Sequence, residues 1–326
     1  MATAFSPANN TTKTTAATFV PQIWSDEIIA AYKKNLVMAN VIKKMSFKGK
    51  KGDTVHVPAP TRSSASAKGA TNAVTLLVNT ESEIQISINK HYEYSRLIED
   101  IVETQALTSL RAFYTEDAGY ALAKQVDLDL IQLGRGFNGA TVGTNDYATS
   151  ATSTKAYIGS DGTTAYNSST SNAAALTDAA IRRTIQRLDD NDTPMDGRFF
   201  IIPPSSRNTL MGLSRYTEQA FVGEGGNSNT IRNGEIGNLY GMPVFVTSNA
   251  DFGAGNSGAD RIALMGHRDS MVLVEQMAIR SQTQYKQEYL GTLFTADTIY
   301  GVARMRDAAS VGAAKSSSAF ALAVPA

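Results

Sequence analysis

Apolar and polar residues alternate strictly in two short segments near the start of the chain. Residues 52–58 place valines on one face, and residues 82–89 place isoleucines on one face, which is the two-residue period of a half-buried strand. Residues 59–80, between them, are rich in Ser, Ala, Gly, Thr and Asn and hold one small apolar patch. The pattern predicts a long two-stranded ribbon with an extended tip. Because such a ribbon is unstable alone in water, it must lie on another part of the chain or on a neighbouring chain.

A helical repeat of apolar residues follows the ribbon. From about residue 104 onward, apolar side chains recur at 100° per residue, which predicts a helix of about 25–30 residues, or about 40 Å. Thr104 or Thr108 would cap its first turn, and Gly134 would end it. Its outer faces are expected to carry acidic residues: Glu103, Glu116, Asp117, Asp127 and Asp129.

The second half of the chain predicts a separate lobe after a long loop. Residues 136–175 are a low-complexity stretch of Gly, Ser, Thr, Asn and Ala, and a loop of this length is usually functional or disordered. The second lobe then begins with a helix capped by Thr177. After that helix the pattern predicts, in order, a buried strand at 199–203, a short helix at 205–213, a Gly/Asn-rich loop at 215–238, strands at 242–247, 261–266, 271–274, 279–289 and 297–305, and an Ala/Ser tail.

Charge is balanced overall but unevenly distributed along the chain. The 326 residues hold 30 Lys and Arg against 30 Asp and Glu, so the chain has no surplus charge with which to bind a nucleic acid backbone. Residues 1–52, which include a predicted helix from Pro21 to Tyr32, carry eight Lys and two acids, while residues 81–131 carry ten acids and four bases. These segments have net charges of +6 and −6. The basic run is either a solvated face or an arm that binds an acidic partner surface.

Opposite charges and the apolar ribbon tip together define candidate contacts between subunits. Charge complementarity of this kind sets register and association rate more than affinity. The basic candidates are Lys43, Lys44, Lys48, Lys50 and Lys51. The acidic candidates are Glu99, Asp100, Glu103, Glu116 and Asp117. The apolar candidates at the ribbon tip are Val74, Leu76, Leu77 and Val78.

No motif in the chain predicts a catalytic, cofactor or metal site. The chain has no Cys, which excludes disulfides, thiolate nucleophiles and Cys-ligated metals. The GxGxxG match that starts at Gly134 follows a helix and precedes a loop, the reverse of the order in a dinucleotide-binding unit. His267 lies beside Asp269 with no serine nucleophile, and is expected to be a hydrogen-bonding surface residue. Asp127 and Asp129 point in different directions on a helix and form no carboxylate pair.

Three local segments, in this order of elements, resemble a known family. Residues 98–101 (Ile-Glu-Asp-Ile) and 114–123 (Tyr-Thr-Glu-Asp-Ala-Gly-Tyr-Ala-Leu-Ala) are similar to the lead-in and long helix of short-tailed phage capsid proteins. Residues 237–246 (Gly-Asn-Leu-Tyr-Gly-Met-Pro-Val-Phe-Val) are similar to their glycine turn and following strand. From about residue 20 to 312, the chain resembles the major capsid proteins of tailed bacteriophages. The resemblance implies an α+β chain with the Hong Kong-97-type capsid fold.

The resemblance also implies a domain organisation. It comprises an N-terminal arm (1–50), an extended ribbon loop (51–92), a peripheral domain with a long spine helix (93–135 and 261–312), a loop insertion (136–175), an axial domain (176–260) and a C-terminal tail (313–326).

The resemblance to this family also implies a function and a set of partners. The resemblance implies a subunit that forms hexamers and pentamers, closes an icosahedral shell and encloses double-stranded DNA without sequence-specific binding. A portal protein at one vertex, a separate scaffolding protein and a cement or decoration protein are the expected partners. Residues 1–51 are expected to be too short for a built-in scaffolding domain. With no signal peptide and no membrane segment expected, assembly is expected in the host cytoplasm and the final location in the virion.

Two other functions stay open at this point. An encapsulin-like bacterial shell protein would use the same fold, and a cargo-binding N-terminal helix would favour it. An enzyme with an unrecognised site is the alternative from a different class. Microscopy of the purified protein separates icosahedral particles from a small monomer.

Overall fold

The computed structural model describes residues 36–48, 51–60, 65–70, 73–74, 76, 81–101, 109–135, 137, 156–166, 171–213, 237–250, 252–253, 260–306 and 317–326. The helices in this part of the chain are α1 Met38–Val41, α2 Ser109–Arg135, α3 Asp178–Asp190 and α4 Pro204–Met211. The strands are β1 Lys43–Ser46, β2 Thr54–Pro60, β3 Glu81–Ser87, β4 Lys90–Glu99, β5 Ala156–Ile158, β6 Arg198–Ile202, β7 Asn238–Leu239, β8 Met242–Val246, β9 Phe252–Gly253, β10 Asp260–His267, β11 Met271–Lys286, β12 Gly291–Arg304 and β13 Ala319–Pro325.

The first sheet is built on a long hairpin. β11 and β12 pair antiparallel along their whole length, and the strand order in the sheet is β1-β11-β12-β4. The spine helix α2 packs on this sheet, with Ala118 and Leu122 against Phe294 and Ala296. The first four residues of β11 are buried, while its outer half is exposed. The hairpin therefore projects from a well-packed base.

The second sheet has the order β5-β13-β10-β6-β8-β7, with β9 beside β10. Helix α3 packs on it through Ile181 and Leu188, which lie in one cluster with Phe200, Ile202 and Leu322. The central strands of this sheet are covered on both faces, and such strands are mostly apolar. In β6, for example, all five residues are buried. The predicted cap of α3 is confirmed, since the Thr177 hydroxyl accepts a hydrogen bond from the backbone N–H of Ala180.

One apolar cluster joins the two sheets. Leu130 of α2 lies in it with Phe199 and Leu264 from the second sheet and with Leu273 and Tyr300 from the first. The chain also passes directly from β10 to β11 through a short 3₁₀ helix at Arg268–Ser270. The spine helix thus holds both sheets in a single core.

The predicted ribbon is confirmed over its described part. β2 and β3 pair antiparallel, with Val55 opposite Ile86. Their apolar face packs on Val272 and Val274 of β11. The base of the ribbon is therefore buried by its own chain, which removes the instability of an isolated ribbon.

The expectation of an Ala/Ser tail over 313–326 is wrong for residues 319–325. These residues form β13, which lies between β10 and β5 in the second sheet. Its first six residues are buried. Small and apolar side chains suit this position because both faces of the strand are covered, so no alternation with polar residues marks it.

Other element predictions also need correction. Residues 43–46, expected in the basic arm, form β1 and pair parallel with β11. Residues 90–99 form β4, a strand that the sequence pattern did not predict. Residues 156–158, inside the expected long loop, form β5 beside β13. The strands expected at 271–274 and 279–289 are one strand, β11, and the strand expected at 297–305 begins at Gly291.

Several predicted features lie outside the described residues. They are the helix from Pro21 to Tyr32, the start of the long helix before Ser109 and most of the loop at 215–238. Among the helices that the structure does describe, none combines the length and apolar content needed to cross a bilayer.

Candidate assembly surfaces and the contacts that shape them

A buried carboxylate fixes the start of the described chain to the spine helix. Asp127 of α2 is fully buried, and its Oδ1 accepts hydrogen bonds from the backbone N–H groups of Val37 (3.1 Å) and Met38 (2.8 Å). Its Oδ2 accepts from the side-chain amide of Asn249 at 2.8 Å. The two backbone donors lie at the N-terminus of α1, where a helix has unpaired N–H groups and a favourable dipole for an anion. Asp127 therefore joins the chain before β1, the spine helix and the loop after β8.

A second buried carboxylate joins the spine helix to the first sheet. Asp129 accepts a hydrogen bond from the Tyr300 hydroxyl on β12 at 2.6 Å, and Lys90 Nζ on β4 lies 3.0 Å from the same oxygen. Tyr92 stacks on the Tyr300 ring, with centroids 5.9 Å apart. Burial, and then the bond to Asp129, raise the pKa of Tyr300, so its hydroxyl stays protonated and donates.

The prediction that Asp127 and Asp129 lie on an outer face is therefore wrong. Both are buried. Each carboxylate accepts hydrogen bonds there from partners that are far away in the sequence. The prediction that they form no carboxylate pair agrees with the structure, in which they have separate partners.

The N-terminal half of the spine helix is held by a polar cluster on β4. The Tyr94 hydroxyl donates to Asp117 at 3.0 Å, and Arg96 Nε donates to the Tyr94 oxygen at 2.9 Å. The Arg96 guanidinium also lies over the Tyr114 ring, 4.5 Å from its centroid. Burial, followed by the bond to Asp117, raises the pKa of Tyr94. Asp117, a candidate subunit contact, thus already has a partner within its own chain.

The other acidic candidates have different environments. Glu99 is exposed at the end of β4, and Glu116 is exposed on α2. Asp100 accepts a hydrogen bond from the Tyr285 hydroxyl at 2.7 Å. Glu103 lies outside the described residues.

The basic candidates that the structure describes are all exposed: Lys43, Lys44, Lys48 and Lys51. Lys43 and Lys44 belong to β1, so the last part of the predicted arm is an edge strand of the first sheet. Lys50 lies outside the described residues. The exposed ammonium groups leave this edge available to an acidic surface.

The ribbon tip is exposed where the structure describes it. Val74 is 71% exposed and Leu76 is 89% exposed, whereas Leu77 and Val78 lie outside the described residues. Large apolar side chains with this exposure are typical of a surface that another molecule covers.

A second exposed apolar group lies at the projecting end of the first sheet and was missed in the sequence analysis. Its members come from β4, the residues directly after β4, β11 and the turn that joins β11 to β12. They are Leu97, Ile101, Tyr285, Tyr289 and Leu290. The signal that could have found them is the Tyr-Leu pair in the short turn between two strands, where polar residues are the rule.

A cross-strand ion pair stiffens this projecting hairpin. Arg280 of β11 donates two hydrogen bonds to Asp297 of β12, Nε to Oδ1 at 2.8 Å and Nη2 to Oδ2 at 3.0 Å. His91 Nε2 lies 3.2 Å from the same Oδ2. The pair follows two register irregularities in β11, between Glu275 and Arg280, which bend a strand locally. The bond to Arg280 is the main reason that the pKa of Asp297 lies below its ordinary value.

We expect Asp297→Asn to destabilise the subunit by about 1 kcal/mol at neutral pH, because it removes a bidentate pair whose arginine is half exposed. A lowered folded-state pKa contributes stability above about pH 4, and this contribution is lost as the pH falls through the folded-state value. Urea unfolding of the unsubstituted chain and of Asp297→Asn should be measured from pH 7 to pH 3. The difference between their free energies of unfolding should become smaller as the pH falls. Glu288→Gln, in the exposed turn, is the control. A difference that is constant with pH would contradict the role given to the carboxylate.

Two sites that resembled chemical motifs have structural roles. His267 is buried rather than on the surface, and its Nε2 lies 2.7 Å from the backbone oxygen of Asp196. Its Nδ1 accepts from the backbone N–H of Asp269. A Cβ at Gly134 would lie 2.5 Å from a methyl carbon of Leu264, so this glycine permits close packing of the helix on the second sheet. In the described part of the chain, no cluster of three or more His, Asp or Glu side chains could hold a metal.

Comparison with known proteins identifies the family. The family model described as phage capsid protein matches residues 94–315, which is most of the chain. The chain belongs to this family. It is a major capsid protein of the tailed-phage type, and its copies form the head shell.

Three of the similar solved structures support the expected fold. The capsid structure of the cyanophage P-SCSP1u is 18% identical with a TM-score of 0.71, and 98% of each chain is covered. A structure from Mycobacterium phage Che8 is 20% identical with a TM-score of 0.69, covering 93% of this chain and 97% of the other. The capsid of Ralstonia phage GP4 is 15% identical with a TM-score of 0.63, covering 94% and 95%. None of the curated proteins compared matches the capsid chain in sequence.

These matches confirm the predicted Hong Kong-97-type α+β fold. Membership of the phage capsid family places the protein in the virion.

Proposed function

We propose that this capsid protein assembles as hexamers and pentamers into a closed icosahedral shell around double-stranded DNA. The observation that carries the proposal is the exposure of large apolar side chains on two projecting elements. These are Val74 and Leu76 on the ribbon tip, and Tyr289 and Leu290 on the turn between β11 and β12. Each 100 Å² of such apolar area gains about 2.5 kcal/mol when it is covered. Contacts between neighbouring copies would cover both elements.

The role in the shell is structural rather than catalytic, and it includes neither sequence-specific DNA binding nor membrane attachment. The balanced charge of the chain supports this proposal, because a neutral wall encloses DNA without binding it tightly.

We further propose three partners and a place of assembly. A separate scaffolding protein would bind the basic N-terminal arm through acidic residues, because exposed Lys43 and Lys44 attract such a surface. A portal protein would occupy one vertex, and a cement or decoration protein would bind the finished shell. Assembly would take place in the host cytoplasm.

Expression followed by negative-stain microscopy tests this function. The chain expressed alone should give aggregates, open sheets or shells of the wrong size, and co-expression with the scaffolding protein should give uniform shells. Uniform shells of the correct size from the chain alone would remove the scaffolding protein from the proposal. A small monomer under both conditions would contradict the shell function itself.

Charge reversal in the basic arm should slow assembly. We expect the triple variant Lys48→Glu, Lys50→Glu and Lys51→Glu to lose about 0.6–3 kcal/mol of association free energy per subunit, since exposed pairs contribute about 0.2–1 kcal/mol each. Light scattering during assembly at about 0.1 M salt should report the slower rate. The effect should weaken toward 1 M salt, where the screening length falls to about 3 Å.

The matched control replaces the same three lysines with arginine, which keeps the charge. Normal assembly rates in the glutamate variant would remove the electrostatic part of the proposal.

A further inference from the structure

An amine, a carboxylate and a phenol meet where β4, β12 and the spine helix come together. Lys90 of β4 lies directly opposite Tyr300 of β12 in the register of the first sheet, so their side chains share a face. Both reach Asp129 of the spine helix. Lys90 Nζ lies 3.0 Å from its Oδ2, and the Tyr300 hydroxyl donates to the same oxygen at 2.6 Å.

The two oxygens of the Asp129 carboxylate have different surroundings. Oδ1 accepts a hydrogen bond at 3.1 Å from the side-chain amide of Gln125, one turn earlier on the helix. Oδ2 faces the amine of Lys90 and the hydroxyl of Tyr300. Oδ1 is therefore held as a carbonyl oxygen would be, and Oδ2 is the oxygen beside which a proton donor stands.

This site is mostly closed to water. The side chain of Asp129 is 4% exposed, Tyr300 is buried, and the ring of Tyr92 stacks on that of Tyr300. The desolvation cost of a buried ion pair falls on two charges, and transfer of one proton from the ammonium to the carboxylate removes both. The neutral amine and the neutral carboxylic acid are the forms that react with each other.

The three groups stand on rigid elements. β4 and β12 are paired from Lys90–Tyr300 to Glu99–Gly291, and Tyr300 shares a core cluster with Leu130, the residue after Asp129. Groups that a structure holds in contact react as if each were present at an effective concentration of up to about 10⁵–10⁸ M. The fold thus supplies the proximity that a free amine and a free acid lack in water.

We propose that Lys90 and Asp129 condense to an amide, which is an isopeptide bond within one chain. Nζ attacks Cγ of Asp129, the Cγ–Nζ bond forms, and the Cγ–Oδ2 bond breaks. Tyr300 donates its proton to the departing Oδ2 and takes one from Nζ. Of the three protons of the ammonium, one stays on the amide nitrogen and two leave with Oδ2 as water. The reaction consumes no oxidant, reductant or cofactor.

The product fits the same surroundings. Oδ1 stays a carbonyl oxygen and keeps the hydrogen bond from Gln125, while the new N–H takes the place of Oδ2 beside the Tyr300 oxygen, which now accepts. Every polar group of the site therefore keeps a partner, as buried polar groups require. The side chain of Lys90 is 30% exposed, so the released water leaves on that side. The bond would join the first sheet covalently to the spine helix.

Mass spectrometry of the denatured full chain tests the proposal. The unsubstituted chain should be lighter by one water than its sequence requires, in more than half of the molecules. Trypsin should then give one branched species that joins residues 69–96 to residues 125–135, because an amide at Lys90 blocks cleavage there. A chain of full mass, or a water lost at another place, would overturn the proposal.

Lys90→Arg is the matched control. It keeps a positive charge beside Asp129, but a guanidinium forms no amide under these conditions, so this variant should have its full mass. A loss of one water in Lys90→Arg as well would overturn the assignment to Lys90. Because the readout is a mass, a variant that folds poorly leaves the result for the unsubstituted chain in force.

Tyr300→Phe tests the proton relay. The substitution keeps the ring that stacks on Tyr92 and removes only the hydroxyl. General acid–base catalysis contributes about 10²–10⁴-fold, so the linked fraction in samples taken through expression should rise at least a hundredfold more slowly. An unchanged rate would overturn the part given to Tyr300. The measurement needs only the subunit, so a linked chain that forms no shells would support this proposal and contradict the shell function.

Discussion

A chain that ends at Ser318 is expected not to fold its second sheet. The truncation removes β13, which lies between β10 and β5 and has six buried residues. Phe320, Leu322 and Val324 belong to the core of the second lobe, and each buried side chain of this size contributes about 1.5–3 kcal/mol. Seven backbone pairings with β10 are lost as well. The total is comparable with the whole free energy of unfolding of a typical folded domain, which is about 5–15 kcal/mol.

Soluble yield and a circular dichroism melt measure this outcome. Removal of Ala326 alone, which is exposed, is the matched control and should leave both unchanged. Ala321→Asp places a charge at a fully buried position and should resemble the truncation. A truncated chain that melts cooperatively near the temperature of the full chain would show that β13 is dispensable.

The substitution Asp127→Ala should have the next largest effect. It leaves the backbone N–H groups of Val37 and Met38 and the amide of Asn249 without their acceptor in a buried site. An unsatisfied buried donor costs about 1–3 kcal/mol, so the three donors together predict a loss of about 3–9 kcal/mol in the free energy of unfolding. Urea unfolding of the subunit measures the loss.

Two further variants serve as comparisons for Asp127→Ala. Asp127→Asn keeps the shape but replaces one acceptor oxygen with a donor, and should lose roughly half as much. Gln132→Ala, at an exposed position on the same helix, should change the stability by less than about 0.5 kcal/mol. If Asp127→Ala lost no more than Gln132→Ala, the junction at Asp127 would not stabilise the fold.

The parts of the fold that the sequence predicted have local signals. The ribbon strands alternate in hydrophobicity, the spine helix repeats every 3.6 residues, and Thr177 stands directly before an amphipathic helix. Each of these patterns depends on residues a few positions apart. The fold family was predicted from short motifs in a characteristic order.

The parts that could not be predicted depend on distant partners. β13 has the Ala/Ser composition of the low-complexity segments, and only its position between β10 and β5 makes it a strand. Asp127 and Asp129 looked like surface acids because their partners lie 89 and 171 residues away. One signal was present: Asp127 is three and four residues before Leu130 and Ile131, on the apolar face of the helix.

Charge and apolar character in the sequence indicate the candidate contact residues, and the structure adds the environment of each. It gives Asp117 and Asp100 partners within the chain and leaves Lys43 and Lys44 exposed on a strand edge. The apolar end of the β11–β12 hairpin was missed because its residues are spread over β4, β11 and a turn. The periodicity of hydrophobic residues within one element does not show a surface that is formed by residues of several elements.

The central place of β13 also has a consequence for the timing of synthesis. Residues 319–325 are made after every other strand of the second sheet, yet they lie between two of them. The ribosome adds about 5–20 residues per second. Until residues 319–325 have left the exit tunnel, β10 cannot pair with β13. A nascent subunit therefore cannot present a finished second lobe to its neighbours.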